Sequence, residues 1–281
     1  MPQNPSIQYA AIAVFFGIMI FLLILSLIAY VFLFYYFNHP IIRRNTPMIS
    51  SLVLSGIVFI LIDGIIICTG ISDASCIIFI FFYNIGFSLI LGGIIAKNYR
   101  IYKIFNNRRA SAVDISDLSL FLIVFVIVFY FTLLAIFFAI AGFKAEIFQS
   151  SSDPFYLYYD CAIKNKFWQI FLAIFNQVSL LLIRFLALGF AWINRKVVST
   201  YSESRAVTAL VLIYLCLDIC FLPLYFALQN GTDSAIYKLV IKSIYICLIS
   251  VFTLILLFYS RFYKVYQYEI KLKKKNSNNR D

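Results

Sequence analysis

Residues 118–143 read LSLFLIVFVIVFYFTLLAIFFAIAGF, 26 positions without one charged side chain. A helix needs about 20 mostly apolar residues to cross the hydrocarbon core of a bilayer, and this stretch exceeds that length. The chain around it is of the same kind. Of its 281 residues 63% are hydrophobic and 12% charged, where a soluble domain carries roughly 45–50% apolar and about 25% charged residues. That balance excludes an ordinary cytosolic domain, a disordered chain and a nucleic-acid-binding domain.

Working outward, six further apolar runs flank it, giving Tyr9–Phe37, Ile49–Ile71, Cys76–Ala96, Leu118–Phe143, Phe167–Ile193, Ala206–Leu228 and Ile236–Tyr259. The third and sixth helices are expected to run on over 76–104 and 204–228. The sequence thus predicts an all-α membrane protein. It has a short external N-terminus (1–8), one seven-helix transmembrane domain (9–259) and a basic tail (260–281). The start lacks a basic n-region and the first run is too long for a signal-peptide core, so it reads as a retained anchor.

The net charge of +11 is a topology signal. Seven spans put the termini on opposite sides. One side holds Arg43 and Arg44, then Lys97, Arg100, Lys103, Arg108 and Arg109, then Arg195, Lys196 and Arg205, and seven more from Arg261 onward: 17 of the 23 basic residues. The other side holds only Lys144, Lys164 and Lys166, and three lie within spans. The positive-inside rule places the N-terminus outside and the C-terminus in the cytosol. The tail cluster Lys271, Lys273, Lys274 and Lys275 follows the last span closely. It reads as topology plus attraction to anionic membrane lipids, or as a partner site.

Seven spans in this orientation fit a G-protein-coupled receptor, a retinal protein, a sugar exporter or a membrane hydrolase. The single histidine, His39, cannot supply a metal site or a Ser-His-Asp set, and no phosphate-binding glycine loop is present. Enzyme chemistry, cofactors and metals are therefore not expected. Lys242 in the seventh span is the residue type that carries retinal. The third span, however, has no carboxylate to serve as counter-ion, which leaves Asp63 or Asp218 for that role.

Charges inside spans are expensive and mark functional candidates. Helical rise places Asp63 roughly 24 Å and Lys242 roughly 27 Å above the cytosolic edge. Arg184 and Asp218 lie at roughly 15 and 21 Å. Helices two and seven are neighbours, as are five and six, so the expected pairs are Asp63 with Lys242 and Arg184 with Asp218. They serve either as polar glue or as a ligand pocket. Cys68, Cys216, Cys220 and Cys247 lie in apolar runs and read as packing residues. Cys76 and Cys161 are the only two external cysteines. Both sit at the outer rim in an oxidising compartment, and a bridge between them would tie the long external loop over the bundle. Asn230-Gly231-Thr232 is a formal glycosylation sequon, pressed against the membrane in a short loop.

The most informative stretch closes the third helix: Gly86-Phe87-Ser88-Leu89-Ile90-Leu91-Gly92, then Ala96-Lys97-Asn98-Tyr99-Arg100-Ile101 and Ile104-Phe105. A second block is Cys161, Trp168, Leu180–Leu182, Ala191-Trp192 and Arg195-Lys196-Val197, and a third is Ser202-Glu203-Ser204-Arg205-Ala206-Val207. In this order and spacing they resemble the class C (family 3) G-protein-coupled receptors, closest to the metabotropic GABA type-B and glutamate receptor-like branch. The likeness spans nearly the whole chain. It departs at Phe258-Tyr259-Ser260-Arg261, where the family has Phe-x-Pro-Lys and Arg261 stands in the lysine's place. It departs also at the front, where about eight residues replace the family's large external ligand-binding domain, so ligand identity does not carry over.

The resemblance implies a receptor at the plasma membrane that signals to a heterotrimeric G protein by moving helices three, five and six. Homo- or heterodimerisation with a class C receptor is also implied. A lysine at the Lys97 position pairs with an acid at the Glu203 position in the family's resting state. Arg43, Arg44, Arg100, Lys103, Arg108, Arg109, Arg195 and Lys196 would face the G protein. Two other readings remain open: an accessory subunit of a full-length receptor, and a seven-helix small-solute transporter. No internal repeat supports the latter.

Overall fold

In hydrocarbon every backbone N–H and C=O must be satisfied within the chain, so apolar runs of this length become helices. A computed structural model describes residues 5–43, 46–69, 71–106, 116–149, 157–194, 202–229 and 235–278. The helices are α1 (Pro5–Tyr35), the single-turn α2 (Pro40–Arg43), α3 (Pro47–Thr69), α4 (Asp73–Asn106), α5 (Asp117–Ile140), α6 (Lys166–Ile193), α7 (Ser202–Gln229), α8 (Ala235–Thr253) and α9 (Ser260–Asn278). A π-helical segment, Leu254–Tyr259, links α8 to α9. Among the described residues six helices carry stretches long and apolar enough to span a bilayer, the last of them continuous over Tyr237–Lys271. The apolar part of α7 is shorter, Ala206–Phe221, but its 28 residues rise about 42 Å. The fold is the all-α membrane bundle the composition implies.

The structure adds a feature at the outer face. Residues 143–149 and 157–163 form an antiparallel hairpin, β1 (Phe143–Gln149) and β2 (Leu157–Ile163), with Ala145 opposite Cys161 and Glu146 opposite Asp160. The fourth span therefore stops at Ile140, short of the expected Phe143. Gly142 takes φ +83°, a left-handed conformation that ends a helix and that glycine adopts without a Cβ penalty. Phe143 then begins β1. At the other end, much of the basic tail is helical.

Helix α4 is the centre of the bundle. Of its apolar window 67% is buried, against 22–44% in the other five long spans. Glycines make this possible. A Cβ on Gly56 of α3 would stand 2.7 Å from the Gly86 carbonyl oxygen, and one on Gly86 would stand 2.6 Å from Ile60 Cγ1. Gly93 faces Val53 across the same interface, and Gly92 lies against the Val124 backbone of α5. In lipid no hydrophobic effect drives helices together, so close backbone approach through small residues supplies the packing. The main core of Leu54, Ile57, Leu61, Phe87, Ile90 and Ile94 grows along this seam. Outward faces remain apolar because lipid is their solvent: Phe121, Phe125 and Phe129 of α5 are exposed. Phe167, Phe171 and Phe175 of α6 stack along the helix surface at 6.2 and 6.0 Å.

Gly86→Ala is expected to cost about 1–3 kcal/mol through overpacking and to lower the melting temperature of the purified chain. Gly17→Ala, with nothing within 4 Å of the added methyl group, is expected to leave it unchanged. Equal melting of the two variants would show that α3 and α4 do not depend on this approach.

Candidate functional site: two buried polar clusters on one helix frame

The outer cluster starts from the inward stripe of α6. Its buried positions are Leu172, Asn176, the adjacent Ser179 and Leu180, Arg184, Ala187 and Ala191, recurring every three to four residues as one helical face requires. Arg184, 1% exposed, forms an ion pair with Asp218 of α7, 4% exposed. Tyr245 of α8 closes the ring: its hydroxyl accepts from Arg184 Nη2 at 3.1 Å and donates to Asp218 Oδ1 at 2.7 Å. Phe87 of α4 lies under the guanidinium, 5.6 Å from its carbon, and stacks against the Tyr245 ring at 6.1 Å. Four helices thus converge on one charge pair. Burying two ions costs several kcal/mol each, and only good geometry with extra hydrogen bonds offsets it; the phenol supplies those bonds.

The expected Asp63–Lys242 ion pair does not form. Asp63 is fully buried, and neither carboxylate oxygen has a hydrogen-bond partner. Lys242 Nζ instead sits 3.1 Å above the Phe79 ring and 5.7 Å from that of Tyr83. The two residues share a depth, yet an aromatic face competes for the ammonium. Depth alone does not determine which way a long side chain turns.

Above this cluster Cys76 and Cys161 form a disulfide, with Cα atoms 5.6 Å apart. It fastens β2 to the outer end of α4. The Ala145 amide donates to Asp73 Oδ1 at 3.0 Å, so both strands are tied to the same helix. Lys238 Nζ lies 3.7 Å from Asp160 Oδ2, joining the hairpin to α8. Cys68, Cys216, Cys220 and Cys247 are free thiols.

The cytosolic cluster centres on Ser50 of α3. Its hydroxyl accepts from Lys97 Nζ at 2.8 Å and from Arg261 Nη1 at 2.9 Å, and donates to the Thr46 carbonyl at 3.3 Å. One donor and two acceptor sites exhaust a hydroxyl's capacity. Both cations are buried, Lys97 at 4% and Arg261 at 7% exposure. Beside them Asn194 at the end of α6 donates to the Asn98 carbonyl of α4 at 2.8 Å. His39 lies 3.8 Å from Glu269 and edge-on to Tyr268 of α9, an interfacial contact between the first cytosolic turn and the tail helix. Among the described residues no group of three or more His, Cys, Asp or Glu is placed to hold a metal.

Glu203 lies in the opening turn of α7, and its side chain is outside the described residues. So are Arg44, Arg108, Arg109, Arg195, Lys196 and Asn230. Arg43 is exposed at the end of α2, and Arg100 and Lys103 are partly exposed on α4. Sequence reasoning missed Ser50 and Tyr245, one of 20 tyrosines; neither carries a charge that would single it out. It noted Arg261 only as a substitute for the family's lysine.

Residues 6–261 match the family described as the 7 transmembrane sweet-taste receptor of 3 GCPR. Metabotropic glutamate receptor-like protein G of Dictyostelium discoideum is 25% identical over 288 aligned positions, covering 98% of this chain and 36% of that protein. Protein B of the same series is 26% identical over 257 residues, 89% of this chain and 32% of that protein. Protein M is 36% identical over 106 residues, 37% of this chain and 14% of that protein. The chain therefore spans about a third or less of these curated relatives. Their names support the glutamate receptor-like side of the likeness and not its GABA type-B label.

Removing one partner of a buried pair costs about 3–5 kcal/mol, so Asp218→Asn and Arg184→Met should each melt well below the parent chain. Combining Arg184→Met with Asp218→Leu should recover most of that loss. A double variant no more stable than the worse single would mean that the ring does not balance its charges as drawn.

Proposed function

Because the chain belongs to the class C family of seven-transmembrane G-protein-coupled receptors, we propose that it is a receptor transducing domain of the plasma membrane. It carries a signal from its outer face to a heterotrimeric G protein. The family is one of receptors and not of enzymes. The observation that carries the reading is that α4 serves two separate polar clusters. It contributes Phe87 to the outer ring and Lys97 to the cytosolic knot. A shift of α4 against α6 and α7 therefore disturbs both ends together.

In the resting state Lys97, Ser50 and Arg261 bind α4, α3 and α9 into one cytosolic knot, and Glu203 at the start of α7 pairs with Lys97. Movement of α4, α6 and α7 breaks that contact and opens the cytosolic face. Two basic segments, Lys97–Arg109 and Arg195–Glu203, then meet the G protein through Arg100, Lys103, Arg108, Arg109, Arg195 and Lys196, with Arg43 and Arg44 alongside. Partly buried opposite charges suit this task, since such a contact is made or broken as a unit. The basic end of α9 meets anionic lipid, and the chain pairs with itself or with a class C receptor through its lipid-facing helices.

Glu203→Ala is expected to raise basal signalling to a G-protein biosensor. A contact worth ~1 kcal/mol shifts the resting-to-active ratio about fivefold, and Ser50→Ala should act in the same direction. Unchanged basal signal in a chain that couples would remove the restraint. A chain that couples only when a full-length class C receptor is co-expressed would be an accessory subunit instead.

A further inference from the structure

Two lysines one helical turn apart on α8, Lys238 and Lys242, stand between two carboxylates on different parts of the molecule. Outside is Asp160 on β2. Its Oδ1 accepts from the Cys161 amide at 2.8 Å, which locks it to the disulfide, and its Oδ2 faces Lys238 at 3.7 Å. Inside is Asp63, fully buried with both oxygens unpartnered. By helical rise Asp63 lies roughly 9 Å below the outer end of α3, and Lys242 roughly 10 Å below that of α8. They are level, yet Lys242 rests on Phe79. Phe79 does not hold that position alone. Its ring stacks at 6.4 Å on Phe143, the first residue of β1, and Phe143 packs edge-on against Phe138 of α5 at 5.7 Å.

The hairpin therefore bears on Lys242 in two ways: Asp160 pairs with Lys238 one turn away on the same helix, and Phe143 backs the Phe79 seat. Inside, a carboxylate of the right sign waits at the same depth. We propose that Lys242 is a partner-exchange switch read by the hairpin. With the hairpin docked, the Asp160–Lys238 pair and the Phe79 ring hold the ammonium away from Asp63. When the hairpin lifts, Lys242 turns off Phe79 and pairs with Asp63, adding a charge pair to the contact α8 already makes with α3. A buried carboxylate without a hydrogen bond is unfavourable in a resting bundle, and it becomes intelligible as the acceptor of a second state. The hairpin is the element positioned to be pulled, since the disulfide and Asp73 fasten it to α4 and Lys238 to α8. The consequence for signalling rests on the receptor reading above; the exchange itself does not, and its test uses no signalling readout.

The full chain in lipid nanodiscs is treated with dicyclohexylcarbodiimide, which joins a carboxyl to a contacting amine as an amide, and the linked peptides are quantified by mass spectrometry. Asp160→Asn keeps the disulfide and the side-chain size while removing the outer charge. The Asp63–Lys242 amide is expected to rise about fivefold over the parent chain, the change that ~1 kcal/mol of released competition produces. It should vanish in Asp63→Asn. Phe143→Ala, which removes the support of the seat, should raise it as well. Equal yields in parent and Asp160→Asn chains, or no such amide in either, would overturn the proposal. A melting-temperature cycle with Asp63→Asn and Lys242→Gln gives an independent reading. Non-additivity should be larger in the Asp160→Asn background than in the parent, and an equal or smaller value counts against the exchange.

Discussion

The bundle depends on the approach of two backbones. Gly56 and Gly86 let α3 and α4 meet with no side chain between them, and a single methyl group on either would meet a backbone oxygen or the Ile60 side chain at less than 3 Å. Because α4 is held so deep, it can do what no lipid-facing helix can. Cys76, Phe79, Tyr83 and Phe87 follow one another at helical spacing down its inner face, and Lys97 lies further on. From Cys76 to Lys97 the rise is about 32 Å, close to the ~30 Å hydrocarbon thickness. The outer disulfide, the mid-membrane charge ring and the cytosolic knot are therefore stations on one rigid rod.

The two polar clusters solve one problem in the same way. Each buries a guanidinium, and each uses a hydroxyl to take up donors that no carboxylate there could satisfy alone. Tyr245 accepts from Arg184 and passes a proton donor on to Asp218, while Ser50 accepts from both Lys97 and Arg261 and donates to a carbonyl. A hydroxyl adapter of this kind is cheap to bury and directional. It also leaves few spare bonds, so displacing any one helix breaks several at once.

That chemistry explains which parts of the molecule the sequence disclosed. Long apolar runs and lopsided lysine and arginine counts register the bilayer directly, because hydrocarbon penalises every exception. Helical rise put Arg184 and Asp218 within reach of each other, and the structure joins them. The same arithmetic put Asp63 beside Lys242, and there an aromatic face intervened, because rise gives depth and not the rotation of a side chain. Ser50 and Tyr245 stayed hidden since neutral hydroxyls are common and carry no cost that would mark them. The hairpin stayed hidden for another reason. Strands of seven residues are not independently stable in water, and these two persist because a disulfide and Asp73 hold them to α4.

The π-helical turn over Leu254–Tyr259 also governs the cytosolic knot. Its hydrogen bonds reach one residue further than those of an α-helix, so it widens the winding between α8 and α9. Each residue by which the winding slips rotates everything beyond it by about 100°. Arg261 comes just after this segment, and it meets Ser50 because the wide turn has already been wound in. The turn thus acts as a phase adjuster in a helical shaft: α8 can keep its orientation in the outer half while the angular setting of α9 decides whether the arginine engages.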